Sequence, residues 1–275
     1  MRFPLLFSVI FLQICGVKFL QGADTPTTVP PQPKEAQAVT SSASLDPQAQ
    51  QILEHCAQFY QGFESFETDI ASSLSTTSDD RGLQNLLKTS NNSVHIAVKG
   101  STGFALLSNS GPINISTFYD GKTCTHYYVK GNQFTRDEFV SPYKNLDETA
   151  SGFLTSGAGL SPSFVLASLF KHSPLYFLSD GFVTQSSYLG VEKIGDLECH
   201  RIRLCDHASP FFIDLWIMNG NTPFLMQSQT SEKVPSAYGL ANTCKYTNWS
   251  FNVPIASDVF VFHPPANAKF VSKFQ

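Results

Sequence analysis

The stretch Tyr188–Gln229, YLGVEKIGDLECHRIRLCDHASPFFIDLWIMNGNTPFLMQSQ, decides the fold. It contains four short apolar runs, with breaks at Gly195-Asp196, at residues 206–210 and at Asn219-Gly220-Asn221. Asn-Gly between two apolar runs strongly indicates a hairpin, because both central residues must tolerate positive φ. The stretch therefore predicts an antiparallel meander of four strands, which we expect in the heart of a large sheet.

The chain on both sides of the meander predicts further strands, because apolar and polar residues alternate there as well. Strands are expected from Phe66, across residues 93–140 with turns at Asp120-Gly121 and Lys130-Gly131, at 243–252, and at Val259–Phe262 before Pro264-Pro265. The count is about ten or eleven strands. Residues 79–90 are expected to be a helical or loop insert.

One long helix is predicted before the first strand. Asp46-Pro47 is a helix start, with a capping carboxylate followed by proline at the first helical position. The apolar residues that follow are spaced to form a single stripe, which predicts that the helix packs on the sheet; they are Ile52, Leu53, Cys56, Phe59, Tyr60 and Phe63.

A second insert, Thr149–Phe170, has 22 residues without a charge. It is rich in Gly, Ser and Thr and contains Pro162, so it does not resemble a membrane-spanning helix. We predict a Gly-rich loop and then a helix that begins at Ser161-Pro162 and has Phe164, Leu169 and Phe170 on its apolar face. This helix is either part of the core or a lid over an apolar cavity, and the two interpretations are compatible.

Together these elements predict a mainly β (α+β) fold built on one curled antiparallel sheet. Strand twist accumulates across so many strands, so the sheet should curl into a half-open β-barrel. The N-terminal helix and one or two inserted helices would then cover its concave face.

The first 45 residues predict export. Met1-Arg2 followed by a 13-residue apolar core, Leu5–Val17, is typical of a signal peptide over residues 1–22, although an uncleaved anchor remains an alternative. Residues 23–45 are rich in Pro, Ser and Thr and predict a disordered linker. The folded domain would then be residues 46–275, in the periplasm or cell envelope. Without residues 1–22 the chain has 16 basic and 22 acidic residues, so no nucleic-acid partner is expected.

The five cysteines of this exported part do not predict chemistry. Cys199 and Cys205 lie about 20 Å apart on one strand and cannot bond to each other; a bond from either one to Cys244 on a neighbouring strand is our expectation. His200 should point away from Cys199, which argues against a metal site there. No spacing typical of a nucleophile, phosphate loop or cofactor site occurs. We predict no catalytic residue, no metal and no cofactor.

The predicted strand at residues 211–218 has one face without a polar residue, and we assign that face to the concave side. It carries Phe211, Ile213, Leu215 and Ile217. These residues either line an apolar cavity under the insert, together with Phe164, Leu169 and Phe170, or are packed core without a cavity.

Several motifs, taken in order, resemble a family of predicted periplasmic proteins of unknown function. They are DPQAQQILEHCAQFYQGFESFETDI from Asp46, FYDGKTCTHY from Phe118, YLGVEKIGDLECHRIRL from Tyr188, DLWI with NGNTPFLMQSQ from Asp214, and VFVFHPPANAKF from Val259. That family is similar in fold to the lipoprotein carriers and receptors of the Lol system. The resemblance covers residues 46–270.

The resemblance implies a half-open barrel whose helices cover an apolar cavity. It implies a non-enzymatic envelope protein, expected to be monomeric, that binds a lipid or an acylated lipoprotein. The alternative is a protein-interaction or envelope-sensor module whose interior is filled by side chains and whose partner is another envelope protein. The linker and the alternative anchor are features not expected of a freely diffusing carrier.

Overall fold

The computed structural model describes residues 44–88, 90–110, 114–138, 144, 146, 148–150, 183–205, 210–234 and 238–273. Twelve strands form one sheet: β1 Ser65–Thr76, β2 Asn92–Lys99, β3 Gly103–Ser110, β4 Ile115–Tyr119, β5 Thr123–Tyr128, β6 Gln133–Glu138, β7 Gln185–Ile194, β8 Leu197–Cys205, β9 Phe211–Met218, β10 Leu225–Glu232, β11 Leu240–Phe251 and β12 Lys269–Phe270. The helices described in full are α1 Pro47–Tyr60, α2 Arg81–Lys88 and the 3₁₀ helix Ser257–Phe260, and residues 146 and 148–150 are also helical. The predicted mainly β class is confirmed.

Two meanders make up the sheet and meet at its centre. Its order is β12-β6-β5-β4-β3-β2-β1-β11-β10-β9-β8-β7. The long strands β1 and β11 pair antiparallel from Phe66↔Phe251 to Thr76↔Leu240 and join the halves. The predicted four-stranded meander is confirmed as β7 to β10, but it lies at one side of the sheet, with β7 at the edge, and not in its heart.

The order of strands is linear, so the sheet is open. Within the described residues, β7 and β12 are the end strands and do not pair with each other. The short pair of β12 with β6, Lys269↔Gln133 and Phe270↔Phe134, is parallel, which departs from the expected purely antiparallel sheet. The expected single open sheet is confirmed, with twelve strands in place of ten or eleven.

Helix α1 begins where the sequence predicts. Asp46 caps it, and its Oδ1 accepts hydrogen bonds from the N–H groups of Gln48 (2.9 Å) and Ala49 (3.1 Å). The Oδ2 atom of Asp46 also accepts a hydrogen bond from the N–H of Tyr188 on β7 (3.2 Å). The capping residue therefore fixes the start of the helix against the edge strand of the sheet.

The two faces of the sheet carry separate apolar clusters. We call the face that packs on α1 the concave face; its cluster joins Leu53 and Tyr60 of the helix to Phe66 of β1 and to Ile202 of β8. On the opposite, convex face, the segment 253–262 covers Ala97 and Ala105 with Ile255 and Phe260. The core thus has one layer under the helix and a smaller one under the C-terminal segment.

The predicted last strand at Val259–Phe262 is wrong. Residues 257–260 form a 3₁₀ helix, with hydrogen bonds from Val259 N to Ala256 O and from Val261 N to Asp258 O. The strands beneath this segment are already paired on both sides, so their apolar neighbour packs across them instead of pairing. After β11 the chain pairs with the sheet again at β12.

The inserts are partly described. Helix α2 lies between β1 and β2, where a helical or loop insert was predicted over residues 79–90. At its start, Asp80 Oδ1 accepts hydrogen bonds from the N–H groups of Gly82 (2.7 Å) and Leu83 (3.1 Å). In the described part of the chain, no helix has the length and apolar character needed to cross a membrane.

Candidate functional site

The concave side of β9 is the apolar wall that the sequence indicated. Its register is Ile217↔His200, Leu215↔Ile202 and Ile213↔Leu204, which places these side chains on the helix side. Leu215 and Ile217 have 0% exposure and belong to the concave cluster, and Ile213 is half-buried against it. Phe211, at the start of the strand, is also half-buried. Their contact with a ligand stays a prediction.

One end of the concave side is filled by aromatic rings. Phe63 stacks on Phe251 with ring centroids 4.4 Å apart, and Phe251 stacks on Trp249 at 5.3 Å. The Tyr60 hydroxyl accepts a hydrogen bond from Leu225 N (2.9 Å), and Trp249 Nε1 donates to Leu225 O (3.0 Å). We call the rings of this group the aromatic plug; they belong to Phe59, Tyr60, Phe63, Phe224, Trp249 and Phe251.

The aromatic plug lies beside the end of β9 that carries Ile217, because Leu225 pairs with Ile217. Phe211 pairs with Glu232 and marks the opposite end of the same strand. Sequence reasoning missed the plug, although Phe59, Tyr60 and Phe63 at the end of one helix were a usable signal. An apolar site on this wall would therefore open at the Phe211 end.

The predicted insert can be followed only at its ends. Phe164, Leu169 and Phe170 lie outside the described residues. Leu146 precedes the charge-free stretch and Ala150 is its second residue; both are buried in the concave cluster. Val183, where the chain returns to β7, belongs to the same cluster. The chain thus leaves and re-enters the described fold on the concave side.

One polar pair on the concave side, His126 and Cys124, lies on β5. The Nδ1 atom of His126 is 3.0 Å from the Thr117 hydroxyl, and its Nε2 is 3.6 Å from Cys124 Sγ. Burial lowers the pKa of His126 and, with a smaller contribution from the Asp137 charge, raises the pKa of the Cys124 thiol to about 11. A protonated thiol beside a neutral imidazole is a poor nucleophile pair. This arrangement suits packing better than catalysis.

A charged network occupies the convex face opposite the apolar wall. Asp214 accepts hydrogen bonds from Arg201 Nη2 (2.6 Å), Arg203 Nε (2.7 Å) and Arg203 Nη2 (2.8 Å). Arg201 also pairs with Glu192 at 2.8 Å, and Glu192 accepts a hydrogen bond from Trp216 Nε1 at 2.9 Å. Sequence reasoning missed this network, although two arginines on one strand face and one acid on the next were a signal.

The alternation argument about the cysteines is correct, but the expected disulfide is wrong. Cys199 lies on the convex side and is buried, whereas His200 Nδ1 contacts the Tyr188 hydroxyl (3.1 Å) on the concave side. Cys244 is on β11, which is separated from β8 by β9 and β10, and all five cysteines are free thiols. The described residues hold no group of three or more His, Cys, Asp or Glu side chains suited to a metal ion.

An open β-sheet with helix α1 packed on an apolar concave face defines the chain as a protein of the half-open-barrel class. The chain belongs to the family described as "Predicted periplasmic protein (DUF2092)", whose model matches residues 49–272. The family suspected from the sequence motifs is therefore confirmed. A search of the curated proteins finds no match.

Solved structures with a similar course of the chain share little sequence with it. An uncharacterised conserved protein of Thermus thermophilus is 9% identical, with a TM-score of 0.43 and coverage of 82% of this chain and 98% of that one. Lipoprotein LppX of Mycobacterium tuberculosis is 15% identical, with a TM-score of 0.39 and coverage of 78% and 100%. A LolA superfamily protein of Nitrosomonas europaea is 14% identical, with a TM-score of 0.32 and coverage of 78% and 97%.

Proposed function

We propose that this protein is a non-enzymatic envelope protein that binds an apolar ligand, a lipid or the acyl chain of a lipoprotein, on its concave face. The site would begin at the Phe211 end of β9 and extend along Ile213 toward Leu215. The proposal places the folded domain in the periplasm or at the cell envelope, in line with the family description.

The gradient of burial along β9 is the observation that carries the proposal. Ile217 and Leu215 are fully buried beside the aromatic plug, whereas Ile213 and Phe211 are only half-buried at the other end. A side-chain-filled interior would not need to leave apolar residues accessible at one end only. A chain-like apolar ligand that enters at Phe211 would cover them and end at the plug.

The width of the concave face also supports a second cover besides α1. A 14-residue helix is about 21 Å long and about 10 Å wide, whereas twelve strands span about 50 Å. One helix therefore covers two or three strands. The same face also buries Leu146, Ala150 and Val183, the nearest described residues on either side of residues 151–182.

The lining suits an uncharged chain. Burial of an acyl chain contributes about 0.8 kcal/mol per methylene, so removal of two methylenes should weaken binding about tenfold. The residues of β9 that face the concave side, Phe211, Ile213, Leu215 and Ile217, carry no charge. Binding should therefore depend on chain length and little on salt concentration.

A matched pair of variants on β9 tests the proposal. Lipid-stripped protein is titrated with a fluorescent fatty acid, and Ile213→Gln on the concave side is compared with Phe212→Gln on the convex side. We expect saturable uptake that is at least tenfold weaker in I213Q and unchanged in F212Q, with both variants folded by circular dichroism. An equal loss of fatty-acid affinity in both variants, or an affinity that does not depend on chain length, contradicts a site on this wall.

The second candidate function is that of a protein-interaction or sensor module with a filled interior. It is favoured by the complete burial of Leu215 and Ile217 and by the aromatic plug. Native mass spectrometry of the protein purified from its own envelope separates the two. A co-purified lipid of defined mass supports the apolar-ligand function. A lipid-free protein that also takes up no fatty acid of any chain length supports the module.

A further inference from the structure

A small pocket lies on the convex face, on the side of the sheet opposite the proposed lipid site. It has a volume of about 140 Å³ and is formed where the C-terminal segment crosses β4 to β6. Its apolar walls are Phe118, Phe260 and Phe262, and Asp120, Thr125 and Arg136 are among its polar groups. All eight residues that line the pocket lie within the described part of the chain.

Arg136 is a cation without a carboxylate partner in the described part of the chain. Its Nε atom makes one long hydrogen bond, 3.4 Å, to the Thr125 hydroxyl, and its guanidinium carbon lies 5.8 Å from the centre of the Phe134 ring. Arg201 and Arg203, by contrast, are paired with Asp214 at 2.6 and 2.7 Å. The Arg136 side chain is exposed, so most of its fork of N–H donors is open to solvent and available to a ligand in the pocket.

Asp120 limits what that ligand can be. Its Oδ1 atom accepts hydrogen bonds from the N–H groups of Lys122 (2.9 Å) and Thr123 (2.8 Å), which hold the carboxylate at the edge of the pocket. A ligand with two negative charges, such as phosphate, would bring its second charge toward this carboxylate. A single carboxylate needs only the arginine.

The apolar walls suit a ring or a short aliphatic group. Phe262 lies between Phe118 (5.3 Å between ring centroids), Tyr127 (5.2 Å) and Phe134 (5.2 Å), so its position is fixed by three neighbours. An apolar cavity of about 150 Å³ is large enough for benzene. The pocket is therefore of the size of one aromatic ring or one side chain.

We infer that this pocket binds a monocarboxylate attached to a small apolar or aromatic group, with the carboxylate on Arg136 and the apolar part against Phe260 and Phe262. A fork of N–H donors matches a planar carboxylate through two parallel hydrogen bonds. A free organic acid and the carboxyl terminus of a partner protein present the same chemistry. The site is separate from the concave face and does not depend on the lipid proposal.

The test is a titration of the full-length protein with benzoate, benzamide and inorganic phosphate, followed by NMR or calorimetry. We expect saturable binding of benzoate and at least tenfold weaker binding of the uncharged benzamide and of phosphate. Arg136→Gln should weaken benzoate binding at least tenfold. Lys122→Gln removes the same charge from an exposed side chain in the neighbouring β4–β5 turn and should leave benzoate binding unchanged. Arg136→Lys should lie between R136Q and the wild type.

Three results would overturn the inference: benzamide or phosphate binding as well as benzoate, equal benzoate affinity in R136Q and K122Q, or no saturable benzoate binding. An unchanged melting temperature of R136Q excludes unfolding as the cause of a loss. An N-acetylated dipeptide that ends in Phe, with a free or an amidated C-terminus, separates the two sources. Tighter binding of its free acid than of benzoate supports a protein chain end, and weaker binding supports a small organic acid.

Discussion

The substitution Asp214→Asn removes the charge at the centre of the convex network. The Asp214 side chain is 1% exposed and accepts three charge-assisted hydrogen bonds, of 2.6, 2.7 and 2.8 Å, from Arg201 and Arg203. Asparagine has nearly the same shape but only one acceptor oxygen and no charge. It would leave Arg203 with a neutral partner only, and Arg201 with Glu192 as its one carboxylate partner.

The expected cost follows from the exposure of the three groups. Loss of one partner from a fully buried pair costs about 3–5 kcal/mol. The arginines here are 24% and 33% exposed, so water still hydrates part of each one. We therefore expect a loss of about 2–3 kcal/mol in the free energy of unfolding. For a domain of this size the melting temperature should fall by about 5–10 °C.

The pH dependence identifies the charge as the cause. Burial alone would raise the pKa of Asp214, but hydrogen bonds from Arg203 and Arg201 outweigh it and hold the pKa below the ordinary 3.8. A depressed carboxyl pKa contributes stability that is present above the unfolded pKa and is lost as the pH falls through the folded pKa. The gap between wild type and D214N should therefore be constant above about pH 5 and shrink below about pH 4.

Urea unfolding followed by circular dichroism, at neutral and acidic pH, measures both quantities. Glu192→Gln is the matched control, because Glu192 also contacts Arg201 but is 42% exposed. We expect it to cost less than about 1 kcal/mol. A D214N loss no larger than that of E192Q, or a gap that persists unchanged at acidic pH, would refute the assignment of a stabilising buried charge.

Two further substitutions test the two cores separately. Tyr60→Phe removes the hydroxyl that accepts from the buried Leu225 N–H, so unfolding free energy should fall by about 1–3 kcal/mol; a loss below about 0.5 kcal/mol in a urea titration contradicts this role. Gly103→Ala places a Cβ 2.6 Å from the Phe260 ring, so overpacking should lower the free energy of unfolding by about 1–3 kcal/mol and lower the melting temperature. Gly62→Ala is the control, because its Cβ would lie 4.0 Å from its nearest neighbour, and it should change the melting temperature little.

The hairpins could be predicted because their signals are local. Gly121, Gly195 and Gly220 have φ angles of 93°, 62° and 124°, and each stands in a turn that the sequence indicated. A residue without a Cβ reaches these angles at little cost, so the pattern of apolar runs and glycines determines each turn by itself. The cap at Asp46 is local in the same way.

The position of the meander could not be read from such signals. The centre of the sheet depends on the pairing of β1 with β11, whose residues lie far apart in the chain, as in Thr76↔Leu240. Local alternation predicts that a segment forms a strand, but it does not predict which strand the segment pairs with. The segment at 257–262 shows the same limit, since Phe260 and Phe262 are buried by packing across strands that have no free edge.

The candidate site was predictable in part for a related reason. The absence of polar residues on one face of β9 identified the concave side correctly, because burial of that face depends only on alternation. The aromatic plug depends on side chains far apart in the chain, since Leu225 lies between Tyr60 and Trp249. The Asp214 network joins the neighbouring strands β7, β8 and β9, and it depends on their register.

The Asp214 network also bears on the concave wall, because it fixes the register of β9. A slip of one residue against β8 would exchange the two faces of the strand. It would move the carboxylate of Asp214 in among Ile202 and Leu204 and turn Ile213 and Leu215 to the convex side. The cost of an unpaired charge in that cluster excludes the slipped pairing. The charged side of β9 therefore determines which residues face the proposed concave site. Under the proposed function, D214N should weaken uptake of the fluorescent fatty acid, although Asp214 lies on the opposite face.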